Sequence, residues 1–301
     1  MNFLKTGLAS VILVTLPGSC IAQTLPPNPK PMPVIRVVKP SVPSVAIGPF
    51  LLDRSPEQGR LARGFVPVGT KRLVIDGRDV AFATDRRFVV GFGRDYAASA
   101  LMTAFLEDGR SVTSRMPVQP RKWITENLTR LPHHAQPDAE FQARRPAELS
   151  QINAARRMVT DAKGWRQNFI WPTRGRISGF FGSQRIYAGQ PGAPHSGVDV
   201  AGVIGTPVVS PADGVIILAA SSPFTLEGNL LMIDHGMGVN SAFLHLSHID
   251  VNVGDRVQQG QRVGAIGMTG RATGPHLHWG MKWQDERLDP QAIAGPMGSV
   301  R

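Results

Sequence analysis

Between Val45 and Val118 short apolar runs alternate with turn signals. Asp76-Gly77 separates Arg72–Ile75 from Val80–Ala83, Asp85-Arg86 precedes Phe88–Phe92, and Asp108-Gly109 separates Leu101–Leu106 from Ser111–Met116. Asp-Gly supplies the positive φ values that a tight hairpin needs, so this spacing predicts a small β-sandwich over 45–122. A longer period follows. Over Pro146–Lys163, the residues Leu149, Ile152, Val159 and Ala162 fall on one helical stripe, Pro146 is tolerated in a first turn, and Gly164 is a natural stop. This predicts a helix within a linker at 123–168, resting on a domain. From Phe169 the β pattern returns, and Val253–Gly264 alternates valine with polar residues between glycine turns, which suits a compact, strongly bent sheet. The expected fold is mainly β: a sandwich, a linker helix and a second β-domain over 169–295.

The beginning of the chain is patterned differently. Lys5, an apolar run from Leu8 to Leu16 and the small-residue site Cys20-Ile21-Ala22 read as a secretory signal over 1–22, the run being too short to span a bilayer. Pro26, Pro27, Pro29, Pro31, Pro33, Pro40 and Pro43 deny 23–44 both helix and sheet ladders and predict an extended tether. Cys20 is the only cysteine, so no intramolecular disulfide is possible. Pro17 stands three residues before it, where lipid attachment expects an apolar side chain, which favours cleavage over a lipoprotein.

Charge divides the chain in two. Of the formal net charge of +11, all lies in residues 1–169, which hold 24 Lys+Arg and 13 Asp+Glu, whereas residues 170–301 hold 9 of each. The basic half is either a solvated Arg-rich surface or a contact for an anionic envelope polymer or lipid phosphate. Export argues against a nucleic-acid partner.

Candidate chemistry concentrates in the neutral half. His195-Ser196-Gly197-Val198-Asp199 and His276-Leu277-His278 offer imidazoles and a carboxylate for one zinc ion with an open coordination position. Zinc takes such ligands at about 2.0–2.2 Å, three of them from protein in a catalytic site. On an extended strand, positions 276 and 278 share a face about 7 Å apart. His195 and Asp199 would lie about 13 Å apart on a straight strand, so the chain must bend between them. Gly197, after Pro191-Gly192-Ala193-Pro194, makes a bend or loop plausible. Scattered loop histidines also produce H-x-H and H-x-x-x-D, so spacing alone leaves both readings open. His133-His134 reads as an exposed loop pair, because nothing nearby completes a coordination sphere.

The order of short blocks then carries a resemblance. Phe181-Gly182-Ser183, His195-Ser196-Gly197-Val198-Asp199, Gly205-Thr206-Pro207-Val208, Ala212-Asp213-Gly214, Asp234-His235-Gly236, Leu244-His245-Leu246-Ser247, Val253-Gly254-Asp255 and Thr273-Gly274-Pro275-His276-Leu277-His278-Trp279 follow one another. Over about Trp171 to Pro290 the chain thereby resembles the lysostaphin/LytM-type zinc metallopeptidases, which cleave peptide bonds in bacterial peptidoglycan. Residues 45–118 resemble, more weakly, the immunoglobulin-like β-domain that precedes this peptidase in some Gram-negative members. The resemblance implies an immunoglobulin-like β-sandwich, a linker helix, a barrel-sandwich hybrid peptidase domain and a periplasmic endopeptidase acting on stem peptides, with bonds near D-Ala and diaminopimelate as its targets. It also implies His195, Asp199 and His278 as Zn²⁺ ligands, with His245 and His276 beside the metal as catalytic histidines. In that reading His245 is the general base and His276 orients water or stabilises the oxyanion, roles that can be exchanged.

Other positions read more plainly. Arg185 and Tyr187 are candidates for binding substrate carboxylate or carbonyl oxygens, with fold stabilisation the equal alternative. His235 reads as a turn residue, His248 as surface, Trp279 as core and Asn229 as part of a turn. Phe243 stands where relatives commonly carry Tyr or another aromatic, and Gly280 where many carry Glu, so a hydroxyl and an outer carboxylate are missing. A non-catalytic regulator of other wall hydrolases is the alternative function, and the complete histidine and aspartate set argues against it. Lipoyl and biotinyl carriers share the 253–264 pattern, but they need a hairpin lysine, and none lies between Gly164 and Met281.

Overall fold

Two four-stranded antiparallel sheets form the first β-domain of the computed structural model, which describes residues 45–128, 139–187 and 189–297. One sheet runs Val45–Ile47, Phe50–Leu52, Leu61–Phe65, Arg87–Gly91, and the other Arg78–Val80, Thr70–Ile75, Ser99–Leu106, Ser111–Pro117. The predicted hairpins form. Asp76 (φ +47°) and Gly77 (φ +78°) supply the two left-handed residues of the first turn. Along Ser99–Leu106, Ala100, Met102, Ala104 and Leu106 are buried while the residues between them are not, so the period-2 pattern places one face on the core. The expected signal, the tether, Cys20 and His133-His134 lie outside the described residues. Among the described residues no helix is long and apolar enough to cross a membrane.

The second β-domain is built on a long antiparallel sheet whose order is Arg176–Gly179, Val198–Ala201, His276–Trp283, Val239–Leu246, Asn229–Gly236, Gly214–Ala219, Arg256–Val257, with Glu286–Leu288 paired to His276–Trp283. A smaller sheet of Pro207–Val209, Arg262–Ala265 and His248–Ile249 supplies the bent glycine-punctuated region. Val198, Val200, Leu277, Trp279 and Phe243 are fully buried, so one face of the central strands is core and the other is free to carry polar groups. Trp279 is core, as its alternation predicts, and meets Trp171 edge-on at 5.8 Å. The two domains share one continuous apolar core. Arg63 of the sandwich donates to the carbonyls of Trp165 and Gln167, and Arg166 pairs with Asp85 at 2.6 Å.

The linker helix departs from its predicted limits. It spans Ala139–Arg157, so it starts earlier, contains Pro146 in its interior and ends well before Gly164. Val159 is 94% exposed, and only Ile152 and Ala155 of the apolar residues are buried, against Ile217, Leu218, Phe224, Leu230 and Met232. The physical reason is polar anchoring, which an apolar stripe does not reveal. Arg145 makes a two-pronged pair with Glu227 (2.6 and 2.8 Å), and Glu148 accepts from the backbone and hydroxyl of Thr225 (2.7 and 2.6 Å). Beyond Arg157 the chain is pulled away by Thr160, whose hydroxyl and N–H donate to Asp234.

Candidate metal centre and catalytic cleft

Strand register creates the core of the site. Val198–Ala201 pairs antiparallel with His276–Trp283 so that Asp199 lies directly opposite His278, and both side chains point away from the buried Val198, Val200, Leu277 and Trp279. His276, two residues before His278, shares its face. His195 comes from the loop ahead of the strand, where its N–H donates to Ser183 (2.8 Å) and its carbonyl accepts from Gly182 (2.9 Å). The chain bends between 195 and 199 as the spacing requires, and the side chains of His195 and Asp199 meet at 3.2 Å.

Three atoms converge: His195 Nε2, Asp199 Oδ1 and His278 Nδ1. They stand 3.1 Å (His195 to His278), 3.2 Å (His195 to Asp199) and 2.9 Å (His278 to Asp199) apart. Ligands at about 2.0–2.2 Å around a tetrahedral ion lie roughly 3.3–3.5 Å from one another, so these residues fit a small divalent metal with little movement. Protonation supports the fit. His195 Nδ1 faces the carbonyl of Phe180 at 3.1 Å, an oxygen that only accepts, so the proton sits on Nδ1 and the Nε2 lone pair faces the cluster. Burial works against ionisation of Asp199, yet its close contacts with the His195 and His278 rings hold its carboxyl far below the usual carboxylate range. Burial likewise lowers His278, outweighing Asp199, whereas at His195 burial is overcome by the adjacent Asp199 carboxylate, which favours the protonated ring and raises it. Gly179 and Gly197 leave the space this requires. A Cβ at 179 would strike the Asp199 carboxylate, and one at 197 would come within 2.7 Å of His278 Nε2.

The other two histidines stand beside the cluster with the same tautomer. His276 Nδ1 donates to the Gly274 carbonyl (2.8 Å) and its Nε2 lies 3.8 Å from Asp199 Oδ1. His245 Nδ1 donates to the Thr269 carbonyl (2.9 Å), which frees Nε2, and its ring centre is 4.8 Å from that of His276. Burial, with the neighbouring imidazoles, pushes the His245 ring down to about 4, so it is neutral at neutral pH.

His245 reaches this position through backbone that alternation does not predict. Along Val239–Leu246, Val239, Ser241 and Phe243 enter the core and Asn240, Ala242 and Leu244 line the cleft, so a regular strand would bury His245 beside Phe243. Instead the register against Asn229–Gly236 slips between Phe243 and Leu246, and His245 is left-handed (φ +64°). This bulge turns its ring into the cleft. The His245 N–H donates to Glu227 (2.8 Å), and both Asn229 Nδ2 and the Thr269 hydroxyl donate to the Leu246 carbonyl at 2.9 Å. Asn229 is thus a clamp on the bulge as well as the first residue after a turn. Phe180, Thr269, Gly274 and Glu227 act through backbone oxygens, and no side-chain pattern announces them.

The cleft has a volume of about 540 Å³ and runs between this sheet face and the linker helix, which contributes Arg145, Leu149, Ile152 and Arg156. Arg185 and Tyr187 are not among its lining residues: Arg185 pairs with Glu126 at 3.1 Å and Tyr187 is buried. His248 is exposed beside Arg262 and Asp250. His235 is fully buried within its strand rather than at a turn, donating from Nδ1 to Asp213 (2.9 Å) and accepting at Nε2 from the Ser241 hydroxyl (2.9 Å). Burial pushes this ring from 6.5 down to about 4. The neutral form therefore stabilises the fold fully above pH 6.5, and that contribution is lost as pH falls through about 4. At 1.36 kcal/mol per pH unit the loss by pH 4 is about 3 kcal/mol. Urea unfolding between pH 7 and pH 4 is expected to show this fall, with a shallower slope in His235→Gln; equal slopes in the two proteins would refute it.

Comparison with known proteins places this geometry. Residues 193–290, which contain every histidine of the cleft and Asp199, match the profile of Peptidase family M23. Residues 193–290 therefore carry a peptidase M23 domain. Among curated relatives, it is 38% identical over 134 residues to the peptidoglycan DD-endopeptidase ShyA of Vibrio cholerae, covering 44% of this chain and 31% of that protein. It is 39% identical over 102 residues to the DD-carboxypeptidase/endopeptidase Mpg of Neisseria meningitidis, covering 34% of this chain and 23% of that one. The chain thus spans a third or less of the curated relatives it matches. A crystal structure of a candidate peptidase M23 from Pseudomonas aeruginosa superposes with TM-score 0.61 at 28% identity, covering 80% of this chain and 96% of that one. That coverage extends the M23 likeness beyond the peptidase domain into the sandwich and helix.

Proposed function

We propose that this protein, through its M23 domain, is a zinc-dependent endopeptidase that hydrolyses the peptide cross-links of bacterial peptidoglycan. The observation that carries the reading is the convergence of His195 Nε2, Asp199 Oδ1 and His278 Nδ1 in a cleft where His245 and His276 present free Nε2 lone pairs. The names of the relatives ShyA and Mpg support the substrate class. His195, Asp199 and His278 would hold the metal. Zinc bound there supplies Lewis acidity, which polarises a scissile carbonyl and makes water acidic near neutral pH. His245, neutral and held by Thr269, accepts the water's proton at Nε2 and returns it to the leaving amine. His276, fixed by the Gly274 carbonyl, orients the attacking water by accepting at Nε2, or stabilises the developing oxyanion once a proton has been taken up at that nitrogen. Export through residues 1–22 to the periplasm, and a contact between the basic half and an anionic envelope polymer, complete the proposal.

The test is digestion of purified peptidoglycan by residues 23–301 with and without a zinc chelator, with released fragments identified by mass spectrometry. Peptide-bond cleavage that stops on chelation and returns with zinc is the expected result. Chelator-resistant release, or cuts in the glycan strand alone, would refute the proposal.

A further inference from the structure

Beyond the metal centre, the cleft carries a cluster of cations that no carboxylate of the described residues touches directly. Lys282 lies on the same strand face as His276 and His278, and Arg287 sits directly opposite it in the adjoining strand, a like-charge pair that costs stability on its own. Arg156, in the last turn of the linker helix, closes over them from the other wall. Among the described residues, none of the three makes a side-chain hydrogen bond or ion pair with a carboxylate, and Arg156 Nε is inaccessible without an acceptor. The neighbouring carboxylates act on the cluster only through space, Asp285 on Arg156 and Lys282, Glu227 on Arg156 and Glu286 on Lys282, while Glu227 is held directly by Arg145 and Glu286 turns toward Arg78. Burial, with repulsion among the cations, lowers both Arg156 and Lys282 despite the opposing charge of Asp285 and of Glu227 or Glu286. Three cations from three elements, none in direct contact with a carboxylate, line one cleft and are arranged for an anion from outside the chain.

We infer that Arg156, Lys282 and Arg287 form a subsite that receives a free carboxylate of the bound stem peptide, at the end of the cleft away from the bond being cut. Lys282 is four residues from His278 along an unbroken register, which is about 13 Å on an extended strand, the span of about four extended peptide residues. A short acidic peptide anchored at one end by this cluster would therefore present its other end to the metal centre. The inference rests on the endopeptidase reading for the identity of the peptide.

Fluorescence anisotropy tests it with a labelled stem tetrapeptide bearing free carboxylates and with the same peptide fully amidated, each titrated with the zinc-loaded protein and with Lys282→Gln and Arg287→Gln. The free-carboxylate peptide is expected to bind the wild type at least about ten-fold more tightly than the amidated one, a preference each substitution removes while binding of the amidated peptide is unchanged. Arg287 is exposed, so that variant is not expected to disturb folding. Equal binding of the two peptides by the wild type, no binding of either, or variants that keep the preference would overturn the subsite. Digestion of peptidoglycan by the same wild-type preparation separates the two ideas: with digestion intact the subsite alone fails, and with digestion absent the endopeptidase reading fails.

Discussion

Replacing His278 with alanine is expected to abolish zinc binding and to lower peptidoglycan hydrolysis by about 10³-fold or more, since a bound metal supplies several kcal/mol of transition-state stabilisation. The side chain holds the centre together from two sides, at 2.9 Å from Asp199 and 3.1 Å from His195. Removing it leaves one imidazole and one carboxylate, too few for a catalytic zinc site. Because His278 is buried in a central strand, Asp199→Asn provides a second route to the same end: it keeps the shape and removes the negative charge. Zinc content by elemental analysis, hydrolysis rate and thermal unfolding belong together here. A folded His278→Ala protein that retains stoichiometric zinc, or that digests peptidoglycan at the wild-type rate, would eliminate the ligand assignment.

His245→Ala is expected to behave differently: zinc is retained while hydrolysis falls by about 10² to 10⁴-fold, the range for a general base. The loss should appear in kcat, because the group acts on the proton being moved rather than on the resting complex. Thr269 adds a geometric check, since its carbonyl fixes the Nδ1 tautomer and its hydroxyl braces the bulge through Leu246. If His245→Ala kept wild-type kcat while His276→Ala lost it, the two roles would be exchanged. If neither substitution lowered kcat, the cleft would not be the catalytic site.

Local chemistry is what the sequence alone determined. The period-2 runs, the Asp-Gly turns and the H-x-H pair depend on neighbours within a few residues, and they yielded a mainly β chain, the hairpin at Asp76-Gly77 and two cleft-facing histidines on one strand face. The ordered blocks also singled out His195, Asp199, His245, His276 and His278, although spacing alone could not tell a metal site from loop histidines. Tertiary structure decided the rest, because it depends on partners distant in the chain. Register between Val198–Ala201 and His276–Trp283 put Asp199 opposite His278. A bulge turned His245 out of the core, and carbonyls of Phe180, Gly274 and Thr269 chose the tautomers. The Arg145–Glu227 pair extended the linker helix past Pro146 and laid it along the cleft, while Arg185 and Tyr187, candidates by sequence position, went elsewhere. Backbone oxygens and cross-strand pairing carry no side-chain signature, so only the folded chain could reveal them.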